Sequence, residues 1–374
     1  MARRLRLGMV GGGRGAFIGA VHRIASRIDD RWELVAGALS SDSERARLSA
    51  EDLGIAPDRT YADFREMARA EAGREDGIDA VSIVTPNHMH AGPAVAFLEA
   101  GIHVICDKPL AATLEQAQAI EAAARASGAR FVLTHNYTGY PLIRQAREMV
   151  ARGDLGTIRL VQAEYAQDWL TEVVEAAGTN KQAAWRVNPE MSGAGALGDI
   201  GTHAFNLLSF VTGLKAEALL ADLQSFGAGR QVDDNAHVLL RLHGGARGML
   251  WASQVAPGNE NGLRLRVYGD KGGLSWEQEN PNVMVHSPLG EPKRIVTRGG
   301  AGLGAGGSRW TRIPPGHPEG YLEGFATIYA DAADLIAGAG DGALLPGIAD
   351  GLEGMWFIGA CQRSSREGGV WVGR

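Results

Sequence analysis

The stretch from Leu5 to Ala25 constrains the first half of the chain more than any other. Leu5 to Val10 reads as a short buried strand. It runs directly into Gly11-Gly12-Gly13-Arg14-Gly15-Ala16-Phe17-Ile18-Gly19, and then into an apolar helix carrying Val21, Ile24 and Ala25. Strand, glycine turn and helix in that order are the context a dinucleotide requires. Glycines let the backbone approach a pyrophosphate, and the start of the helix offers unpaired N–H groups to it. The spacing departs from G-x-G-x-x-G. Gly11 and Gly13 fit the first two positions, Ala16 takes the third, and Gly19 fits it only after an insertion of three residues. Gly11, Gly13, Arg14, Phe17 and Ile18 are the residues this turn assigns to a nucleotide. A plain glycine turn is the alternative.

The alternation continues. Trp32–Leu39 reads as a second strand and Gly77–Val84 as a third, followed by Thr85-Pro86-Asn87-His88-Met89-His90 and an alanine-rich helix to Ala100. Gly101–Ile105 is the next strand and ends in Cys106-Asp107-Lys108-Pro109. Leu114–Ala126 reads as a helix and Arg130–Leu133 as a further strand. This pattern predicts an α/β fold with a doubly wound parallel sheet of Rossmann type. Ligands of such sheets bind beyond the carboxyl ends of the strands, the edge at which Gly11, Thr85, Asp107 and His135 all fall. An NAD site usually has an acid at the end of the second strand. Here the strand ends in Ser40-Ser41-Asp42-Ser43-Glu44-Arg45. Hydroxyls from Ser40 and Ser41 with a guanidinium from Arg45 suit a ribose 2′-phosphate, so NADP is expected over NAD. Asp42 argues the other way, and capping of the next helix by Asp42 or Ser43 accounts for the same residues.

The length, 374 residues, predicts two domains. The expected division is a nucleotide-binding domain over 1–135 and an α+β domain over 136–374. Hydrophobic residues at 45% and charged residues at 21% are the composition of a soluble globular chain. A net charge of −6 favours neither nucleic acid nor an anionic membrane. No run approaches the roughly 18 apolar residues of a membrane span. The two cysteines, Cys106 and Cys361, are far apart. They suggest no disulfide framework and no metal site, and they fit a reducing cytoplasm.

A second glycine-rich stretch organises the other half: Gly193-Ala194-Gly195-Ala196-Leu197-Gly198-Asp199-Ile200-Gly201-Thr202-His203. Leu197, Ile200, Ala204, Leu207 and Leu208 have helical spacing, so Asp199 and His203, four apart, share a face. A carboxylate beside an imidazole orients it and shifts its pKa, as acid–base catalysis near neutral pH needs. An ordinary polar helix face is the alternative. Asn136 and Tyr137 lie just past the last strand of the first half. Asn136 is assigned to the cofactor and Tyr137 to the substrate, with domain packing the alternative for Tyr137 and Tyr140. Thr157–Trp169 alternates like a long strand and brings Asp168 to its end. From Ala216 onward six short strands, Ala216–Phe226, Asn235–Leu242, Gly248–Val255, Leu263–Tyr268, Gly273–Trp276 and Val283–His286, predict a mostly antiparallel sheet with one helical layer. Arg298–Ser308 is low in complexity and reads as a mobile loop, with a substrate lid the alternative.

Together these residues resemble the glucose–fructose oxidoreductase / inositol dehydrogenase / MocA family of sugar and cyclitol dehydrogenases. Asp107-Lys108-Pro109 resembles the family's Glu-Lys-Pro motif, with Asp for Glu. Gly195 to His203 resembles its second motif, and Thr85, Pro86, Asn87 and His90 its cofactor-contacting loop. The resemblance implies NAD(P)(H) as cofactor and hydride transfer to or from a secondary alcohol or ketone of a sugar, cyclitol or related polyol. It implies that Asp107 and Lys108 contact the cofactor and that Lys108, Asp199 and His203 serve both substrate binding and catalysis, with His203 as the acid–base. Trp185 and Arg186 resemble an element near the substrate pocket, and Asp168 and Lys181 are placed with them. The second domain's open sheet face is implied to pack on another copy, giving a homodimer or homotetramer. Net isomerisation or elimination with a retained cofactor is the alternative activity. A nucleotide-binding regulator is a further alternative, which the presence of Lys108 and His203 disfavours.

Overall fold

A computed structural model describes residues 3–177 and 193–374. The chain divides into two compact units. One comprises Met1–Asn136 with Tyr321–Met355, the other Tyr137–Gly320 with Trp356–Arg374. Residues 321–355 thus belong to the first unit although they lie in the stretch expected to form the second.

In the first unit, strands β1 (Leu5–Gly11), β2 (Trp32–Ala38), β3 (Ala80–Val84), β4 (His103–Cys106) and β5 (Phe131–Leu133) form a parallel sheet in the order β2-β1-β3-β4-β5. Beyond β2 a single parallel bridge, Gly37 to Thr60, stands where a further strand would pair. Every residue of β3 is buried, as a strand covered on both faces requires. On one face, α3 (Phe64–Ala72), α4 (Ala91–Glu99) and α5 (Leu114–Ser127) bury Met67, Phe97, Leu98 and Ile120 against Val81, Ile83 and Val104. On the other, α1 (Phe17–Ile28) packs Val21 and Ala25 beside Leu7, Ile105 and Val132. α2 (Ser43–Asp52) follows β2.

The second unit holds α6 (Pro141–Arg152), α7 (Thr202–Thr212) and a nine-stranded sheet. Its strands are β6 (Ile158–Ala166), β7 (Ala216–Gln224), β8 (Asn235–Leu242), β9 (Arg247–Ser253), β10 (Gly262–Gly269), β11 (Gly272–Glu277), β12 (Val283–Pro288), β13 (Arg294–Thr297) and β14 (Val372–Gly373). The order is β13-β12-β11-β10-β6-β9-β8-β7-β14, antiparallel except for the pair β6 and β9. From Ala236 onward β8 alternates strictly and puts Ala236, Val238 and Leu240 into the core beside Leu142, Phe205 and Leu208 of the helices.

α8 (Tyr321–Ile336) returns to the first unit, where Phe325, Ile328 and Tyr329 join Leu7, Val21 and Trp32. α9 (Ile348–Arg366) contributes Leu352 and Met355 to the first unit and Phe357 and Cys361 to the core of the second. The segment 298–308, expected as a mobile loop, ends instead in a helical turn, Ala305–Ser308, docked on α6. Gly304 N–H donates to Gln145 Oε1 at 2.8 Å and Gly306 N–H to Glu148 Oε2 at 2.9 Å. A Cβ on Gly304 would lie 1.7 Å from the Glu148 carboxylate. The glycines here permit a close backbone approach, so their composition does not mean disorder.

Candidate functional site

The glycine turn after β1 is shaped by contacts that exclude side chains. Gly11 and Gly12 have φ of +79° and +73°. A Cβ on Gly13 would meet Leu39 O at 2.7 Å, and one on Gly19 would meet Gly12 Cα at 2.4 Å. Gly19 therefore gives the close helix–strand packing of the third glycine in the usual motif. α1 starts at Phe17, and Ala16 before it gives no side-chain cap to the first N–H groups, which in any helix have no intrahelical partners. Arg14 pairs with Asp52 (2.5 Å), both half exposed. Phe17 is 65% exposed and Ile18 half-buried. At the end of β2, Ser40 Oγ accepts from Asp42 N at 3.1 Å, and Asp42 caps α2 by accepting from Arg45 N at 2.7 Å. Ser41 and the Arg45 side chain are exposed.

After β3, Thr85 Oγ1 donates to Met89 O at 3.2 Å, Pro86 leads into the turn, and Asn87 is buried. His90, assigned to the cofactor-contacting loop, is buried with both ring nitrogens on backbone. Nδ1 lies 2.8 Å from Pro109 O and Nε2 2.9 Å from Thr85 O. It ties the loop after β3 to the loop that carries Lys108. Burial lowers its pKa, against the opposing pull of the Asp107 carboxylate.

After β4, Asp107 Oδ1 accepts from Lys108 N and from Thr134 Oγ1, each at 3.0 Å. The short Asp thus braces the backbone of the lysine beside it. Lys108–Pro109 is a cis peptide. Behind Asp107 lies His22, which sequence reasoning missed. Its Nε2 is 3.9 Å from Asp107 Oδ1, and its Nδ1 is 2.9 Å from Tyr329 Oη and 3.2 Å from Ser82 Oγ. Burial pushes His22 down to about 4. Burial first, and then the Lys108 ammonium, push His135 down to about 3. Asn136 is buried past β5, and among the described residues its Nδ2 has no hydrogen-bond partner. A parallel sheet sets the glycine turn, Ser40, Thr85, Asp107 and Asn136 along one edge. A glycine cradle, an uncapped helix start and an orphaned amide donor suit the pyrophosphate and polar groups of a dinucleotide.

In the second unit, Asp233, also missed, builds the turn that carries Asp199. Its carboxylate accepts from Gly195 N (2.9 Å) and Leu197 N (2.6 Å), and its carbonyl accepts from Ala196 N (2.8 Å). A Cβ on Gly195 would fall 1.8 Å from Asp233 O, which explains that glycine. Leu197–Gly201 form a single π-helical turn leading into α7, a widening found frequently at functional sites. Asp199 Oδ2 accepts from Gln254 Nε2 at 2.9 Å. His203 is 8% exposed, its ring edge-on to Tyr137 at 4.9 Å between centroids. Tyr137 Oη and Tyr165 Oη are 2.6 Å apart. Tyr140 stacks on Tyr137 and meets Trp276 edge-on, which is packing. Asp168 Oδ2 accepts from Gly258 N at 3.2 Å and so closes a loop. Lys181, Trp185 and Arg186 lie outside the described residues. Gln254 and Asn261 were also missed, as was the role of Gln167 in the unusual strand end Gln167-Asp168-Trp169. Their signal was a polar residue just beyond one end of a strand.

Two domain models of one family match the chain. The one described as an oxidoreductase family with an NAD-binding Rossmann fold matches residues 5–146, and the GFO/IDH/MocA C-terminal domain matches residues 143–275. An oxidoreductase of known crystal structure from Sinorhizobium meliloti is 57% identical, with a TM-score of 0.91 over 99% of each chain. An inositol dehydrogenase homolog from Azotobacter vinelandii, complexed with NADH and myo-inositol, is 39% identical. It aligns with a TM-score of 0.91 over 100% of this chain and 98% of its own. The levoglucosan dehydrogenase of Pseudarthrobacter phenanthrenivorans is 29% identical over 306 residues, 74% of each protein.

Proposed function

Because the chain belongs to the GFO/IDH/MocA oxidoreductase family, we propose that it moves a hydride between a nicotinamide dinucleotide and a secondary alcohol or ketone of a sugar or cyclitol. The observation that carries this reading is the braced turn that holds Asp199 and sets His203 against Tyr137. The myo-inositol and levoglucosan of the two similar proteins support the substrate class.

A dinucleotide held by Gly11, Gly12, Gly13, Thr85, Asp107 and Asn136 would supply the hydride acceptor or donor. His203 takes the hydroxyl proton as the alcohol is oxidised and returns it in the reverse direction. The Lys108 ammonium stabilises the developing alkoxide. Asp199 binds a substrate hydroxyl or orients His203. The finer cofactor reading is a preference for NADP, supported by Ser40, Ser41 and the exposed Arg45, and by the engagement of Asp42 in capping α2. The NADH held by the inositol dehydrogenase homolog weighs towards NAD.

The open face of the nine-stranded sheet supports self-association. Leu239 and Met249, opposite each other in register, are 46% and 40% exposed, and Leu160 and Tyr268, also paired, 53% and 39%. An apolar patch of this kind marks an interaction surface. Cys106 and Cys361 are both buried free thiols, in keeping with a cytoplasmic protein.

The test is a screen of cyclitols and sugars with NAD and with NADP, followed by absorbance of reduced nicotinamide. Polyol-dependent reduction is expected. Turnover of a polyol without added dinucleotide would favour a retained cofactor, and silence with every polyol would overturn the proposal.

A further inference from the structure

The register of the nine-stranded sheet gathers residues that lie far apart in sequence. β6 and β9 run parallel, so their ends lie side by side. Ala166 pairs with Ser253, and the next residues, Gln167 and Gln254, leave the sheet together. β10 runs antiparallel to β6 and pairs Gly262 with Ala166, which brings the preceding Asn261 to the same end. Three amides converge there.

Two groups fix the direction of every bond between them. The Trp169 indole N–H can only donate, and it donates to Gln167 Oε1 at 3.1 Å. Gln167 Nε2 therefore faces Asn261 Oδ1 at 2.9 Å, which also accepts from the Tyr165 hydroxyl at 2.7 Å. Asn261 Nδ2 donates to Gln278 Oε1 at 2.7 Å. The Tyr165 hydroxyl, its proton already committed, accepts from Tyr137, whose ring abuts His203. At the other end the Asp199 carboxylate accepts from Gln254 Nε2 at 2.9 Å, and the same nitrogen lies 3.4 Å from Gln167 Oε1. One directed network links the side chain of Asp199 to the ring beside His203.

We propose that Gln254 is a positioning residue that fixes the Asp199 carboxylate for substrate. This rests on the catalytic reading of Asp199. Gln254 is 1% exposed and Asp199 half-buried, so the amide is rigid and the carboxylate needs holding. A neutral donor suits the task. A lysine or arginine in its place would hold the carboxylate equally well but would cancel the charge that Asp199 presents to a hydroxyl or an imidazole.

Two variants separate this role from a structural one. Gln254→Met keeps the bulk and removes the donor. Gln254→Glu keeps the shape and sets a second carboxylate against the first. Expected for Gln254→Met is a kcat about tenfold lower, the order of one lost hydrogen bond to a charged group, with dinucleotide Kd and thermal midpoint unchanged. Gln254→Glu should lower kcat at least as far, whereas a purely structural role would be restored by its shape. In an Asp199→Asn background Gln254→Met should add little, because both substitutions remove the same function. Parent-like kcat in Gln254→Met, recovery in Gln254→Glu, or fully additive losses would each overturn the proposal. If Asp199→Asn alone keeps the parent kcat, the catalytic reading of Asp199 falls first and this proposal with it.

Discussion

At the scale of single residues, the reaction proposed above places its proton on His203. His203→Ala should lower kcat about 100-fold or more while dinucleotide affinity stays at the parent value. Lys108→Met, which keeps bulk without charge, should damage both. Near-parent turnover in the first variant would remove His203 from the mechanism. Cofactor choice rests on a different pair. An Arg–phosphate contact contributes about 1.5–3 kcal/mol, so Arg45→Ala should raise the Kd for NADP roughly 10- to 150-fold and leave NAD nearly unmoved. Equal losses would return Arg45 to the solvated surface. His22 sets a pH dependence of stability. Its folded pKa of about 4 lies below the 6.5 of an exposed imidazole. Between those values the unfolded chain binds a proton that the folded chain does not, so stability falls as pH falls from about 6.5 to 4. The loss is on the order of 3 kcal/mol. Urea unfolding of the parent and of His22→Asn at pH 7 and pH 4.5 checks this. The same drop in both proteins would count against it.

At the scale of elements, the turn from Gly195 to His203 depends on a residue more than thirty positions away. Asp233→Ala leaves the N–H groups of Gly195 and Leu197 without their acceptors and should cost about 1–3 kcal/mol. Turnover should fall more than dinucleotide affinity, because the loss falls on the unit that carries His203. Unaltered stability and kcat would show that the turn holds itself. The turn illustrates what could be read in advance. Its acid and its histidine were legible as a pair because they lie four apart, about one helical turn, and its glycines because they cluster beside them. Asp233 was not, because it reaches the turn only through the fold. The same contrast runs through the sheets. Asn235–Leu242 was legible to the residue, since β8 alternates buried and exposed from Ala236 to its end. β13 was missed, because an edge strand with no fully buried residue carries no such signal. Gln167, Gln254 and Asn261 converge through strand order and register, which no local period encodes. The glycines at 304, 306 and 307 gave a false signal, since composition cannot separate a floppy chain from one pressed against Gln145 and Glu148.

At the scale of the whole molecule, the open sheet face makes the protein's mass in solution a test. Leu239→Glu with Met249→Glu sets two like charges opposite each other in register. Light scattering should then give the mass of a single chain, against a multiple of it for the parent. An unchanged multiple would place the contact elsewhere. The return of α8 to the first unit bears on how the protein is made. Leu7, Val21, Trp32, Ile105 and Val132 pack on Phe325, Ile328 and Tyr329, which leave the ribosome long after the five strands of that unit. At about 5–20 residues per second, the nascent glycine turn and its strands wait on the order of tens of seconds for the helix that covers them. A fragment cut at Asn136 would leave that apolar face bare, and would be expected to aggregate unless a peptide spanning 321–355 were supplied alongside it.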